Sequence, residues 1–199
     1  MPVLLPMDEL IATYKEALNT RDASSRFCTL ITLDELGYPA SRVLTIRSID
    51  ESGIRLYVNK NSPKVMHLQN DEKFEVLFFW PNLMKQYKVR GDFELFTEAD
   101  QISQWKHKPY AGRLVDMYHS LGRNQSSKVD SREVIETEIA KLADQYSQEL
   151  LIQPPEDLVT LLIKPTYISA WVNMQKNRIH NRTEYTLTNS QWLAQVLVP

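Results

Sequence analysis

Between residues 7 and 19 the apolar side chains fall at Leu10, Ile11, Tyr14, Ala17 and Leu18, the spacing that lines one face of a helix. Asp8 and Glu9 supply the acidic first turn that a helix dipole favours. At Phe27 the period drops to two. Phe27 to Leu33, Arg42 to Arg47 and Ile54 to Asn59 read as three strands joined by turns that carry Gly37 and Gly53, the pattern of an antiparallel meander. Ser62 to Asn70 reads as a short helix, with Ser62 as cap and Pro63 at the first helical position. Phe74 to Trp80 is almost continuously apolar, which predicts a strand buried on both faces. From Gln86 to Phe96 the chain alternates, with Tyr87, Val89, Gly91, Phe93 and Leu95 on one side and Gln86, Lys88, Arg90, Asp92 and Glu94 on the other.

The helical period then takes over, around 98–107 and 111–119. A polar stretch from Gly122 to Ser127 follows, and then the longest helix, which opens at Asp130 with Glu133 three residues on, as in a capping box. Ile135, Ile139, Leu142, Tyr146 and Leu150 are its expected buried stripe. Pro154 and Pro155 break the chain, and strands return over Leu158 to Ile163, Thr166 to Val172, Arg178 to Thr186 and Trp192 to Leu197. Six to eight strands flanked by helices make an α+β fold built on a small antiparallel barrel. Early and late strands must pair across the helical middle. The whole chain, 1–199, is therefore expected to be a single domain that includes the last strands, about 158–199.

Charge and cysteine content narrow the chemistry. Lys and Arg total 23 against 25 Asp and Glu, a net charge of −2 over 199 residues, where a protein bound to a nucleic-acid backbone carries a basic excess. The ligand to expect is a small anion gripped by a few local cations. Cys28 is the single cysteine, which excludes an internal disulfide and a zinc site built on cysteines. Its apolar neighbours point to a buried, inert thiol, and no metal is expected. The first ten residues lack the basic start of a signal peptide, and apolar runs such as Val76 to Trp80 are too short to cross a bilayer. A cytoplasmic protein without a membrane partner is the expectation.

Several polar residues could serve a site. On a strand, Arg178, His180 and Arg182 share a face, where they either converge on a phosphate or carboxylate or form a solvated edge. Arg42 and Arg47 differ by an odd number, so they reach one ligand only if the strand between them carries a bulge or the ligand wraps the strand's end. Lys64 stands in the first turn of a helix, a poor place for a cation unless an anion lies between it and the amide groups. Gly122 to Ser127 either donates hydrogen bonds to a ligand or is a plain loop, and Trp171 is either core or a platform for a cofactor. Other templates fail. There is no glycine-rich phosphate loop, five glycines are too few for a dinucleotide fold, and His67, His107 and His119 are scattered without nucleophile or metal spacing.

In order along the chain, Ser41 to Arg47, Gly53 to Asn59, Asn61 to Lys64, Phe79-Trp80, Gln86 to Gly91, Gln125-Ser126, Trp171, Arg178 to Arg182 and the ending from Trp192 to Pro199 form a set that resembles the pyridoxamine 5′-phosphate oxidase family. Members of that family are FMN-binding split-barrel flavoproteins. The resemblance implies an antiparallel split β-barrel in which Arg42 and Lys64 hold the FMN phosphate and Gln125 and Ser126 add hydrogen bonds. Val43, Leu44, Thr45, Ile46 and Arg47, with Tyr57 and Val58, would line the flavin, and Gln86, Trp171 and Arg182 would complete its site. It also implies a homodimer with FMN at the interface. Arg178 and His180 would be the catalytic pair that meets a small phosphorylated substrate of the pyridoxine or pyridoxamine phosphate kind, with Arg47 and Lys108 as further substrate contacts. In that reaction the substrate's C4′ gives hydride to FMN, and oxygen reoxidises the flavin to yield hydrogen peroxide. The chain departs from the family pattern in places. Arg47 replaces a lysine, and Ser62-Pro63-Lys64 lacks one cation of the usual motif. In the substrate-phosphate clamp Lys108 stands for an arginine, Gln104 or Trp105 for a tyrosine and Gly112 for a serine. An FMN-dependent reductase of another small substrate and a non-catalytic binder of FMN or pyridoxal phosphate are the alternatives.

Overall fold

The structure, a computed structural model, describes residues 5–98, 103–105, 107–146, 152–174 and 179–199. Its elements in chain order are α1 (Pro6–Asn19), β1 (Phe27–Leu33), β2 (Pro39–Asp50), β3 (Gly53–Asn59), α2 (Pro63–Asn70), β4 (Phe74–Trp80), β5 (Lys85–Phe96), α3 (Tyr110–Ser120), α4 (Arg132–Gln145), β6 (Leu158–Val172), β7 (Asn181–Thr188) and β8 (Gln191–Val196). The strands lie in the order β3-β2-β1-β4-β5-β6-β7-β8, and β3 also pairs with β6. The first six therefore close into an antiparallel barrel, with β7 and β8 continuing outward from β6, so the α+β split-barrel expectation holds. The chain forms two compact units, one of residues 1–56, 67–94 and 161–199, the other of residues 57–66 and 95–160.

In the first unit the barrel core is aliphatic and aromatic. Leu30, Val76, Phe78, Val89, Leu161, Ile163 and Ile168 are buried, and Trp80 packs with the rings of Tyr14, Phe78 and Tyr87. Helix α1 is latched by polar contacts. Tyr87 donates its hydroxyl hydrogen to Glu9 Oε1 at 3.0 Å and lies 2.9 Å from Thr13 Oγ1, while Tyr185 donates to Glu9 Oε2 at 3.2 Å. Burial pushes the Tyr87 phenol well above its ordinary range, so it stays a donor at any physiological pH. Cys28 is buried and its thiol is pushed up to about 12 by that burial, which makes it inert as expected.

Closure depends on two glycines. A β-carbon at Gly53 would lie 2.1 Å from the Ile163 carbonyl oxygen, and one at Gly91 2.0 Å from that of Lys164. Gly53 also has a φ of +134°, which a side chain would oppose.

In the second unit Trp105, Leu114, Tyr118, Leu142, Ile152 and Leu158 form a core, with Tyr57, Tyr110, Ile135, Ile139 and Tyr146 packed against it. Tyr110 donates its hydroxyl to the carbonyls of Ala143 and Tyr146, tying α3 to the end of α4.

Four expectations are corrected. Strand β4 is buried only on alternate residues, because Phe79 is exposed and Glu75 and Leu77 are half-buried; its apolar composition does not remove it from water on both faces. Helix α4 starts at Arg132 with Ser131 as its cap, one residue after the expected Asp130, and it is Ser131 that bonds the Glu133 side chain. The two strands expected over 158–172 are one, since β6 runs through Pro165 without a break. Strand β7 begins at Asn181, not at Arg178. Leu150 of the expected α4 stripe, and residues 99–102 and 106 of the helix expected over 98–107, lie outside the described residues, while 103–105 form a helical turn.

Replacing Gly91 by alanine sets a methyl group against a strand backbone that cannot retreat. We expect a loss of about 3 kcal/mol in unfolding free energy, measured as a lower urea midpoint with an unchanged denaturant slope.

Candidate functional site

Of the two ways in which Arg42 and Arg47 could reach one ligand, β2 carries the bulge. Ile46 pairs with Leu56 and Ser48 with Arg55, so the register shifts across Arg47. This frees Arg47 from the strict alternation that would separate its direction from that of Arg42. Upstream, Arg42 faces Leu30 and Leu44 faces Cys28 across β1. Val43 and Thr45 are exposed, Leu44 and Arg47 are half-buried, and Ile46 is part of the core.

Arg42 is half-buried, and its Nη1 donates to Thr32 Oγ1 at 2.8 Å and to the Leu30 carbonyl at 3.2 Å. Burial lowers its pKa, but a guanidinium keeps its charge through such a shift. Thr32 in turn lies 3.0 Å from His67 Nδ1.

In the second unit Lys64 is 8% exposed, a rare placement for an ammonium. Its Nζ donates to Gln125 Oε1 at 2.6 Å. This contact orients the Gln125 amide, because the oxygen faces Lys64 and the NH2 must face away. The adjoining Ser126 is exposed and held at φ 66°, a conformation uncommon outside glycine and asparagine, in a turn closed by the Ser127 amide on Asn124 O. In the same unit Tyr57 packs half-buried on the core, and Val58 is fully part of the interior.

The C-terminal strands hold the remaining group. Trp171 faces Arg182 across β6 and β7, and the His180 ring lies 5.0 Å from the Trp171 ring. His180 Nδ1 is buried with no hydrogen bond to any described residue, an orphan of the sort that a bound ligand satisfies. Arg182 reaches the Val198 carbonyl at 3.4 Å. Since β7 starts at Asn181, His180 precedes the strand and is oriented by Trp171 rather than by strand alternation. Arg178 lies outside the described residues. Gln86 is half-buried on β5, opposite Phe79.

Lys108 is differently placed from the other cations. Its Nζ donates to both oxygens of Asp116, at 2.8 and 2.7 Å, and the same carboxylate accepts the Trp105 indole N–H at 3.0 Å. Arg113 lies over the Trp105 ring at 5.5 Å. A β-carbon at Gly112 would come 2.9 Å from Lys108 Cε, so the glycine makes room for the lysine stem. Gln104 is half-buried beside them. Sequence reasoning missed Thr32, His67 and Asp116, because the only signals were a lone threonine, a lone histidine and a lone aspartate.

In the first unit, a half-buried arginine held by neutral acceptors and an orphaned histidine beside a tryptophan, and in the second a buried lysine on an amide with a fixed donor end, are each groups of the kind that a phosphorylated aromatic cofactor such as FMN engages. Among the described residues no cluster of His, Cys, Asp and Glu could hold a metal ion, and no helix is long and apolar enough to cross a membrane.

Comparison with known proteins agrees with this geometry. Residues 13–146 match the family described as pyridoxamine 5′-phosphate oxidase, and the chain belongs to that family. Relatives include pyridoxine/pyridoxamine 5′-phosphate oxidases of Cyanothece sp., 27% identical over 98% of this chain and 88% of the relative, and of Acinetobacter baumannii, 25% identical over 98% and 87%. Among solved structures, PhzG from Burkholderia lata, in complex with tetrahydrophenazine-1-carboxylic acid, shares the fold with a TM-score of 0.76 at 22% identity, over 100% of this chain and 99% of that one. A pyridoxamine 5′-phosphate oxidase-related FMN-binding protein from Nostoc punctiforme gives a TM-score of 0.72 at 20% identity, over 99% and 100%. The family is one of oxidoreductases and includes FMN-binding members.

Removing the Asp116 carboxylate strands a buried indole N–H and a half-buried ammonium. Asp116→Ala is therefore expected to cost about 2 kcal/mol of stability, read from urea unfolding followed by tryptophan fluorescence.

Proposed function

We propose that the protein is an FMN-dependent oxidoreductase of the pyridoxamine 5′-phosphate oxidase type, working in the cytoplasm as a homodimer with the flavin at its interface. The observation that carries this reading is the bond between Lys64 and Gln125, residues 61 apart in sequence. Both belong to the motif set for an FMN phosphate, and neither is distinctive alone. Lys64 supplies charge, Gln125 its amide hydrogens and Ser126 a hydroxyl, while Arg42 presents the remaining edge of its guanidinium. Val43 to Arg47, Tyr57, Val58 and Gln86 would border the isoalloxazine, with Trp171 and Arg182 closing the site. The bound flavin supplies the redox chemistry, taking hydride from C4′ of pyridoxine or pyridoxamine phosphate and returning the electrons to oxygen as hydrogen peroxide. Arg178 and His180 would orient that substrate, joined by Arg47, and the orphaned His180 Nδ1 would gain its hydrogen bond from it. Support for the dimer comes from apolar side chains left in solvent, Val43 on the barrel strand β2, Leu193 and Val196 on β8, and Val198 beyond it.

A second reading is favoured by Asp116. The bidentate contact of this carboxylate cancels the charge of Lys108, the cation that would otherwise receive the substrate's phosphate. This supports an FMN-dependent reductase of a small substrate that carries no phosphate.

Purified protein is expected to be yellow, to elute as a dimer and to retain FMN through desalting; colourless protein that takes up no FMN overturns both readings. Lys64→Met is expected to weaken FMN binding about tenfold or more. Peroxide formation that depends on pyridoxamine phosphate selects the first reading. No turnover above an FMN-only blank, with anaerobic bleaching of the flavin by a reduced nicotinamide, selects the second.

A further inference from the structure

Within the first unit, three side chains from separate elements form one line of hydrogen bonds: Arg42 on β2, Thr32 on β1 and His67 on α2. The chemistry of each group fixes the direction of the line. A guanidinium only donates, so in its 2.8 Å contact with Arg42 Nη1 the Thr32 oxygen accepts. Thr32 is 1% exposed, so water does not serve its single hydroxyl hydrogen, and His67 Nδ1 at 3.0 Å is placed to take it. Nδ1 is then the acceptor in this contact, and the ring N–H that remains is the one on Nε2. The consequence for Arg42 is geometric. Both hydrogens of Nη1 are spent, one on Thr32 and one on the Leu30 carbonyl. The planar edge formed by Nη2 and Nε remains, and two parallel donors on that edge suit two phosphate oxygens.

We propose that His67 is a positioning residue for the anion-binding arginine: by accepting from Thr32 it holds the hydroxyl lone pair toward Arg42 and so aims the guanidinium edge at a phosphate monoester. The proposal rests on the reading of Arg42 as an FMN-phosphate ligand and adds a residue that touches neither flavin nor substrate. Without the imidazole, the Thr32 hydroxyl turns to find another acceptor. Arg42 then loses the contact that fixes its plane, and the phosphate loses a bidentate partner. The flavin ring does not depend on this line of bonds, so the effect is confined to the phosphate.

The test compares two ligands that differ only in the phosphate. Dissociation constants of FMN and of riboflavin are measured by flavin fluorescence for the wild type, His67→Ala, His67→Gln and Thr32→Val. We expect His67→Ala and Thr32→Val each to weaken FMN about tenfold while riboflavin changes less than about twofold, the cost of one charge-assisted hydrogen bond. The double variant should be no weaker than either single one, as for two members of one line of bonds. His67→Gln, whose amide oxygen can accept from Thr32, should recover most of the loss. Equal weakening of FMN and riboflavin in His67→Ala, or no recovery with glutamine, overturns the positioning role. A wild type that binds FMN no better than riboflavin instead overturns the phosphate-site reading itself, so the two failures are told apart. Should His67→Ala not fold, Thr32→Val and His67→Gln carry the same comparison.

Discussion

The barrel closes because β6 can press its backbone against two other strands at points where no side chain intervenes. Successive carbonyls of Ile163 and Lys164 occupy the space that a β-carbon would need at Gly53 on β3 and at Gly91 on β5. One strand is thereby gripped from both sides, and the meander that began at β1 becomes a closed ring. A closed barrel leaves no unpaired edge among its six strands, and it turns β6 into a rigid base from which β7 and β8 continue. Trp171 and its cross-strand partner Arg182 inherit their positions from that base, and the His180 ring rests on Trp171.

The cations of the protein then divide by what holds them. Arg42 is fixed by a threonine hydroxyl and a main-chain carbonyl, and Lys64 donates to a glutamine amide. For Arg42 such acceptors orient the charge without cancelling it, so it remains available to an anion. Lys108 meets a carboxylate on both oxygens, and its field is largely spent locally. Three cations that look alike in composition thus have different settings, and the difference lies in the partners each side chain finds.

The sequence was most informative where the chain's chemistry is local. Turn glycines, strand alternation and the proline at the start of α2 placed most elements within a few residues. The odd spacing of Arg42 and Arg47 left a choice between a bulge and a ligand wrapping the strand's end, and the register of β2 and β3 contains the bulge. It was least informative where composition imitates burial or capping. The apolar β4 was read as fully enclosed although Phe79 is exposed, and the helix start was assigned to Asp130 when Ser131 holds that place. Both errors come from judging a residue by its type, when its neighbours in space decide its exposure and its hydrogen bonds.

Read alone, the sequence determined the antiparallel meander of the barrel's first strands and the absence of an internal disulfide, because these follow from residue type and short-range spacing. Only the tertiary structure decided which polar groups meet. Thr32 and His67 are 35 residues apart and Lys64 and Gln125 are 61 apart; no periodicity links them. Their contacts exist because chain closure brings strands and helices into register, and a hydrogen bond of about 3 Å is far shorter than any distance that spacing along the chain can specify.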